Sequence, residues 1–194
     1  MEVLAKILGN SARVKIMRLF LLNRNKSFLA KEVAKRSRVS QDLARRELRM
    51  LSTVDFIKKK DAGQWFYNPA FKYGEEFENL LLSSDTLSKE AILKIFQKTG
   101  KIKLLIISGV FIKNHDSRVD LLLVGDQIKR NKIEESIRKI EAELGIELVY
   151  AIFDTKEFIY RLNMYDKLVR DILDYPHEVV LQAKELSTQV LKKV

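Results

Sequence analysis

Two nearly continuous apolar runs in the second half of the chain constrain its fold more than any other feature. They are Lys103-Leu-Leu-Ile-Ile-Ser108 and Arg118-Val-Asp-Leu-Leu-Leu-Val-Gly125. Each run is far shorter than the roughly 20 apolar residues that a membrane-spanning helix needs. Each is also too continuous for the one-sided stripe of a surface helix. Runs of this kind are typical of strands that are covered on both faces, so we predict a small buried sheet.

The residues around these runs predict helices and a further strand. We expect a third strand over residues 146–153, and the helices over 87–99, 131–144, 154–161 and 166–174. The tail, residues 178–193, is expected to be helical or frayed. The whole chain is therefore predicted to be α/β (α+β), with a small mixed sheet in its second half.

The first part of the chain has a different pattern. Apolar residues repeat at three and four from Ser11 onward, which predicts a helix capped by Asn10 or Ser11. We expect a short extended segment at residues 27–29, then helices over 30–36 and 40–52 joined by a tight connection. Two β-prone runs, 55–60 and 64–68, flank a turn that contains Gly63 and predict a hairpin.

The positive charge of the protein lies in this first part. The chain has 36 Lys and Arg against 26 Asp and Glu, for a net charge of +10. Residues 1–74 hold 17 of the bases and 6 of the acids, a balance of +11, and residues 75–194 hold 19 bases and 20 acids. A basic segment on a neutral remainder indicates a polyanionic partner, although a solvated charged face is the alternative.

The element order of residues 4–73 resembles a winged helix-turn-helix DNA-binding domain. The stretch that carries the resemblance is Leu29-Ala-Lys-Glu-Val-Ala-Lys-Arg-Ser-Arg-Val-Ser-Gln-Asp-Leu-Ala-Arg-Arg-Glu-Leu-Arg-Met-Leu51, followed by the hairpin. The resemblance implies a DNA-binding domain over residues 1–74, a linking helix over 75–86 and double-stranded DNA as the partner. We expect a chain ending near residue 84 to fold on its own, with only marginal stability.

The second helix of the pair presents a polar stripe that suits a recognition helix. Gln41, Arg45 and Arg49 lie four residues apart on one face with Arg46 beside them, and Leu43 or Ala44, Leu48 and Leu51 lie on the other. Arginine can contact guanine through two hydrogen bonds, and glutamine can pair with adenine. A solvated face that Glu47 partly neutralises is the alternative. The candidate DNA contacts are Ser40, Gln41, Arg45, Arg46, Arg49, Lys58, Lys59, Lys60 and Gln64.

The second part of the chain resembles a minimal nucleotidyltransferase domain, over residues 87–175. In that family a Gly-Ser pair precedes a strand with the pattern Asp-x-Asp, and a third acid lies on a later strand. Here the pair is reversed, as Ser108-Gly109, and the strand reads Ser117-Arg-Val-Asp-Leu-Leu-Leu-Val. Arg118 therefore falls on the first acid, Asp120 on the second and Glu147 on the third.

The resemblance implies a pair of magnesium ions held by acids, and the arginine argues against them. A guanidinium at Arg118 adds positive charge where the cations would bind. We therefore expect a non-catalytic relative over residues 87–194, ending in C-terminal helices, with no catalytic residue, metal or cofactor. Asp120 is instead expected to be satisfied by Arg118 or by a helix N-terminus.

Composition excludes several other classes. The chain has no cysteine, which excludes disulfides, iron–sulfur clusters and thiol catalysis, and its two histidines, His115 and His177, form no metal-ligand pair. We expect no secretory signal, no membrane partner and a cytoplasmic location.

The sequence as a whole predicts a DNA-binding transcriptional regulator whose second domain serves dimerisation or ligand sensing. A homodimer, an active nucleotidyltransferase targeted by its N-terminal domain and a protein-binding adaptor stay open as alternatives.

Overall fold

The computed structural model describes residues 3–82, 87–114 and 116–186, and it divides into two compact units. Unit 1 comprises Met1–Leu87 and Arg138–Glu147, and unit 2 comprises Ser88–Ile137 and Leu148–Val194. The sequence-based boundaries differ from this division, because they place residues 138–147 entirely in the second domain. Residues 83–86, the last part of the predicted linking helix, lie outside the described residues.

Unit 1 combines helices with a three-stranded antiparallel sheet in the order β1-β3-β2. The expected order of helices and hairpin is confirmed, and α5 occupies the position predicted for a linking helix. The elements are α1 (Val3–Ile7), α2 (Ser11–Leu22), β1 (Ser27–Phe28), α3 (Ala30–Ser37), α4 (Gln41–Thr53), β2 (Ile57–Lys59), β3 (Trp65–Tyr67) and α5 (Gly74–Leu82).

Local capping explains why α2, α3 and α4 begin where they do. The Asn10 side chain accepts a hydrogen bond from the Arg13 backbone N–H, and Ser40 Oγ accepts one from the Leu43 N–H. At the start of α3 the Leu29 N–H donates to the Glu32 carboxylate at 2.7 Å. These bonds satisfy donors that a helix leaves unpaired in its first turn.

The core of unit 1 lies between α2, α4 and the small sheet. The predicted inward residues of α4, Ala44, Leu48 and Leu51, are buried, and Tyr67 of β3 joins them. Arg18, which no sequence pattern placed in the core, is also fully buried. Its Nε donates to the Leu81 carbonyl and its Nη1 to the Glu143 carbonyl, at 3.0 and 3.2 Å.

Unit 2 is built on a four-stranded mixed sheet in the order β6-β5-β4-β7, in which β5 and β6 are parallel and the other pairs antiparallel. The two apolar runs form its two central strands and are buried, as predicted. Its elements are α6 (Lys89–Phe96), β4 (Lys101–Ile107), β5 (Leu121–Asp126), β6 (Tyr150–Phe153), α8 (Thr155–Asn163), α9 (Lys167–Asp174) and β7 (Glu178–Gln182). The helix α7 (Arg130–Leu144) begins in unit 2, and the boundary between the units falls inside it.

The expectation for the end of the chain was wrong in its first part. Residues 178–182 form the edge strand β7, antiparallel to β4, with Leu181 opposite Leu105. The free edge of β4 offers backbone hydrogen-bonding groups that outweigh the local helical preference. The remainder of the predicted C-terminal helix, from residue 187, lies outside the described residues. In the described ranges no helix is long and apolar enough to cross a membrane.

Candidate nucleic-acid interface

The outer face of α4 carries the predicted polar stripe. Gln41, Arg45, Arg46 and Arg49 are all exposed, and the side chains of Arg45 and Arg46 are 58% and 69% accessible. Ser40 is used as the helix cap, which fixes the first turn beneath Gln41. The stripe is therefore held on a regular helix anchored by its buried side.

Glu47 partly neutralises this stripe, because the Arg46 Nε lies 3.7 Å from the Glu47 Oε1. The Glu47 side chain is buried, and its two carboxylate oxygens also accept hydrogen bonds from Asn10 Nδ2 at 3.0 Å and Arg13 Nε at 2.9 Å. The acid nearest to Arg45 is the exposed Asp42, at 3.4 Å, and so exposed a pair contributes little.

The spacing of Glu47 in the sequence indicates its inward position. Glu47 follows Ala44 by three residues and precedes Leu51 by four, so it shares their spacing on the buried face. An acid at such a position needs a buried partner. The partners, Asn10 and Arg13, are more than 30 residues away in the chain, and only the folded unit brings them together.

The hairpin adds three exposed lysines, Lys58, Lys59 and Lys60. The Lys59 Nζ lies 5.6 Å from the centre of the Trp65 ring, and the Lys60 Nζ lies 5.1 Å from that of Phe66. These cation–π contacts hold the two ammonium groups along the hairpin. Trp65 is partly buried and packs against the core.

Gln64 has a structural role that the sequence did not indicate. Its Oε1 accepts a hydrogen bond from Ser27 Oγ at 2.8 Å, and its carbonyl accepts one from the Lys60 N–H at 2.8 Å. Gln64 therefore links β1 to the hairpin. Of the predicted contact residues outside α4, Ser40 and the three lysines are the exposed ones.

The structure brings the helix stripe and the hairpin together around one groove. Arg45 and Arg49 of α4 line it with Lys59 and Trp65 of the hairpin, and its volume is about 320 Å³. Two guanidinium-bearing residues and one lysine on the wall of an open groove favour an anionic ligand.

Several other cations of the first 74 residues are already neutralised within unit 1. Salt bridges join Arg13 to Glu47, Lys15 to Glu143, Arg24 to Glu78 and Arg36 to Glu147. Arg49 and Lys58, by contrast, form no ion pair within the part of the chain that the structure describes. Uncompensated charge therefore remains on α4 and on the hairpin.

In unit 2 the Asp120 carboxylate lies beside the Ser108-Gly109 pair and is held by backbone hydrogen bonds. Asp120 Oδ1 accepts a hydrogen bond from the Val110 N–H at 2.9 Å, and its Oδ2 accepts one from the Val149 N–H at 2.8 Å. Gly109 has a φ of +56°, and a side chain there would collide with the Asp120 carboxylate. Val110 belongs to a 3₁₀ turn, so the carboxylate is satisfied at a helical turn, one of the two partners expected.

The other two residues of the predicted motif have different partners. Arg118 Nε pairs with Asp171 Oδ2 at 2.9 Å, not with Asp120. Glu147 belongs to unit 1, where it pairs with Arg36 at 2.9 Å. Among the described residues, no group of three or more acids and histidines is placed to hold a metal ion.

Comparisons with known proteins add no assignment. Neither the protein-family models nor the curated proteins nor the solved structures gave a match to this chain.

Proposed function

We propose that the protein is a DNA-binding transcriptional regulator and that unit 1 is a winged helix that docks on duplex DNA. The observation that carries the proposal is the exposed stripe of Gln41, Arg45 and Arg49, from which the neighbouring Glu47 is withdrawn into the core. A stripe that only solvated a helix would gain from an acid beside the arginines. Here Glu47 is buried against Asn10 and Arg13, and Arg45 has only the exposed Asp42 beside it. Arg49 has no ion pair among the described residues.

In this proposal α4 lies in the major groove. Arg45 and Arg49 contact guanine edges, Gln41 contacts an adenine, and Arg46 contacts the flanking backbone. The hairpin lysines contact phosphates, which adds affinity without adding sequence preference. The groove between α4 and the hairpin has cations from both elements on its walls, which supports an anionic partner on this face.

Unit 2 is proposed to be a non-catalytic nucleotidyltransferase-like domain. The position of the second family acid, Asp120, supports this, because both of its oxygens already accept backbone hydrogen bonds. A carboxylate engaged in this way is a poor ligand for a metal pair. The domain is then available for dimerisation or for sensing a ligand. Incorporation of a nucleotide in the presence of magnesium or manganese would favour the alternative, an active nucleotidyltransferase.

The test begins with selection of a bound duplex from a random library by the full-length protein. Replacing Arg45 and Arg49 by Ala should then weaken binding to the selected site by about 1–3 kcal/mol for each base interaction removed, with little change on unrelated DNA. Replacing Lys58, Lys59 and Lys60 by Gln should weaken binding to all duplexes. It should also reduce the steepness of log K against log salt concentration by about 0.9 for each phosphate that is no longer neutralised.

The matched control removes two charges from exposed positions of a unit 2 helix, by Lys167→Ala and Arg170→Ala in α9. This variant should bind the selected duplex as the parent does. The proposal is wrong if the Arg45 and Arg49 variant binds every duplex like the parent. Absence of any salt-dependent gel shift would instead favour the protein-binding adaptor.

A further inference from the structure

Unit 1 contains a second concavity, which shares no lining residue with the proposed DNA face. Its volume is about 300 Å³, and its wall is formed by the last turns of α3, by Leu19 of α2 and by part of residues 138–147, all within unit 1. That volume is at the lower end for small-molecule sites, so an occupant would be smaller than a nucleotide cofactor.

One buried polar group in the wall lacks a partner. Ser37 is 1% exposed, and its hydroxyl makes no hydrogen bond within the described part of the chain. Buried hydroxyls are nearly always hydrogen-bonded in folded proteins. Ser37 is one of the residues that line the pocket, so a ligand bound there would lie beside this residue.

The charges in the wall define the chemistry of that ligand. Three cationic residues lie in the wall, and three acidic residues balance them: Lys35, Arg36 and Arg138 against Glu32, Glu141 and Glu147. A purely anionic ligand would lie beside three carboxylates, and a purely cationic one beside three bases. A ligand that carries one charge of each sign avoids both conflicts.

The ion pair between Arg36 and Glu147 offers the place for such a ligand. Its side chains are 32% and 64% accessible, so solvent screens the pair and little energy is lost when it opens. Glu147 lies in an irregular segment after α7, not on a helix. The carboxylate of such a ligand can then pair with the Arg36 guanidinium while its ammonium pairs with Glu147, so that no charge is left unpaired.

The remaining wall is apolar and is formed by Leu19, Ala142 and Ile146. We infer that this pocket of unit 1 binds a small zwitterion with an apolar body, as in a free amino acid with an aliphatic or aromatic side chain. The inference does not depend on the proposed DNA binding, since it concerns other residues and is read out by ligand binding alone.

The experiment is calorimetric titration of the full-length protein with L-valine, L-leucine, L-isoleucine, L-methionine and L-phenylalanine. At least one should bind, and its N-acetyl and amide derivatives, each lacking one of the two charges, should not. Absence of binding by all five overturns the inference. Equal binding of the N-acetyl derivative also overturns it, because the site would then recognise an anion.

Variants of α3 locate the binding. Arg36→Gln should weaken binding by about tenfold or more, as removal of a charge-assisted hydrogen bond requires. Ser37→Ala should weaken binding while raising the melting temperature of the unliganded protein, since it removes an unsatisfied buried hydroxyl. Lys31→Gln, on the exposed side of the same helix, is the matched control and should bind as the parent does. Parental affinity in both Arg36→Gln and Ser37→Ala would show that the pocket is not the site.

Discussion

At the scale of single residues, the partner of a charge decides what the charge does. Lys103 of β4 illustrates this, because its Nζ lies 2.7 Å from Glu185 Oε2 and 2.9 Å from Asp126 Oδ2. The hydrogen bond to Glu185, and then that to Asp126, raises the pKa of Lys103 above its ordinary 10.5. The same hydrogen bond from Lys103 lowers the pKa of Glu185 below its ordinary 4.5. This lysine therefore stabilises unit 2 and is unavailable to an outside polyanion.

These shifts predict how stability depends on pH. The lowered pKa of Glu185 stabilises the fold at pH values above about 4.5. This contribution is lost as the pH falls through the pKa that Glu185 has in the folded protein. The raised pKa of Lys103 stabilises the fold below 10.5, and that contribution is lost only as the pH rises through its folded pKa. Urea unfolding of Lys103→Met should show a deficit from the parent at neutral pH that narrows below pH 4.5. Lys98→Met, at an exposed position, is the control and should show a small deficit that does not vary with pH.

At the scale of elements, one side chain joins three segments of unit 2. Asp120 precedes β5, and its carboxylate accepts hydrogen bonds from the 3₁₀ turn Gly109–Phe111 and from the segment that leads into β6. Its backbone N–H donates to the Val149 carbonyl at 2.6 Å. The acid that the family resemblance singled out thus stabilises the connections at one end of the sheet.

Asp120→Asn is therefore expected to destabilise the fold. The amide nitrogen of asparagine would face one of the two backbone N–H donors, at a cost of about 2–3 kcal/mol. Chemical denaturation measures the destabilisation, and Asp116→Asn, an exposed change of the same kind four residues earlier, is the control. If the two variants unfold at the same denaturant concentration, the carboxylate does not stabilise these connections. Loss of an activity in Asp120→Asn would accordingly not identify a metal ligand.

At the scale of the whole molecule, unit 1 is completed by residues far along the chain. Asn23 Nδ2 donates to the Gly145 carbonyl at 2.9 Å, and Arg18 Nη1 donates to that of Glu143. A Cβ on Gly145 would lie 2.7 Å from the backbone of Arg18 and Leu19, so this close approach requires glycine. Residues 138–147 therefore belong to the same compact unit as the N-terminal residues.

A fragment of residues 1–87 should be markedly less stable than unit 1 in the full chain. It loses two hydrogen bonds, worth about 0.5–1.5 kcal/mol each, and the packing of residues 138–147, in a domain whose total stability is about 5–15 kcal/mol. Thermal unfolding followed by circular dichroism tests this. Addition of a peptide covering residues 130–149 should restore part of the missing stability, whereas a scrambled peptide should not. A fragment that unfolds as cooperatively and at the same temperature as unit 1 in the parent would contradict the prediction.

The sequence by itself determined the features that depend on neighbouring residues. The two apolar runs predicted the central strands β4 and β5, Ser40 marked the start of α4, and the spacing of Gln41, Arg45 and Arg49 predicted its exposed stripe. Periodicity and capping are local, so the chain displays them before it folds.

Only the tertiary structure decided where distant residues meet. Three such contacts join segments far apart in the chain. Glu47 pairs with Asn10 and Arg13, residues 178–182 add an edge strand to the sheet, and residues 138–147 belong to unit 1. The same holds for Arg118 and Glu147, which pair with Asp171 and Arg36 instead of gathering around Asp120. Such contacts depend on which buried groups need a partner and which free edges remain, and these conditions exist only once the cores have formed.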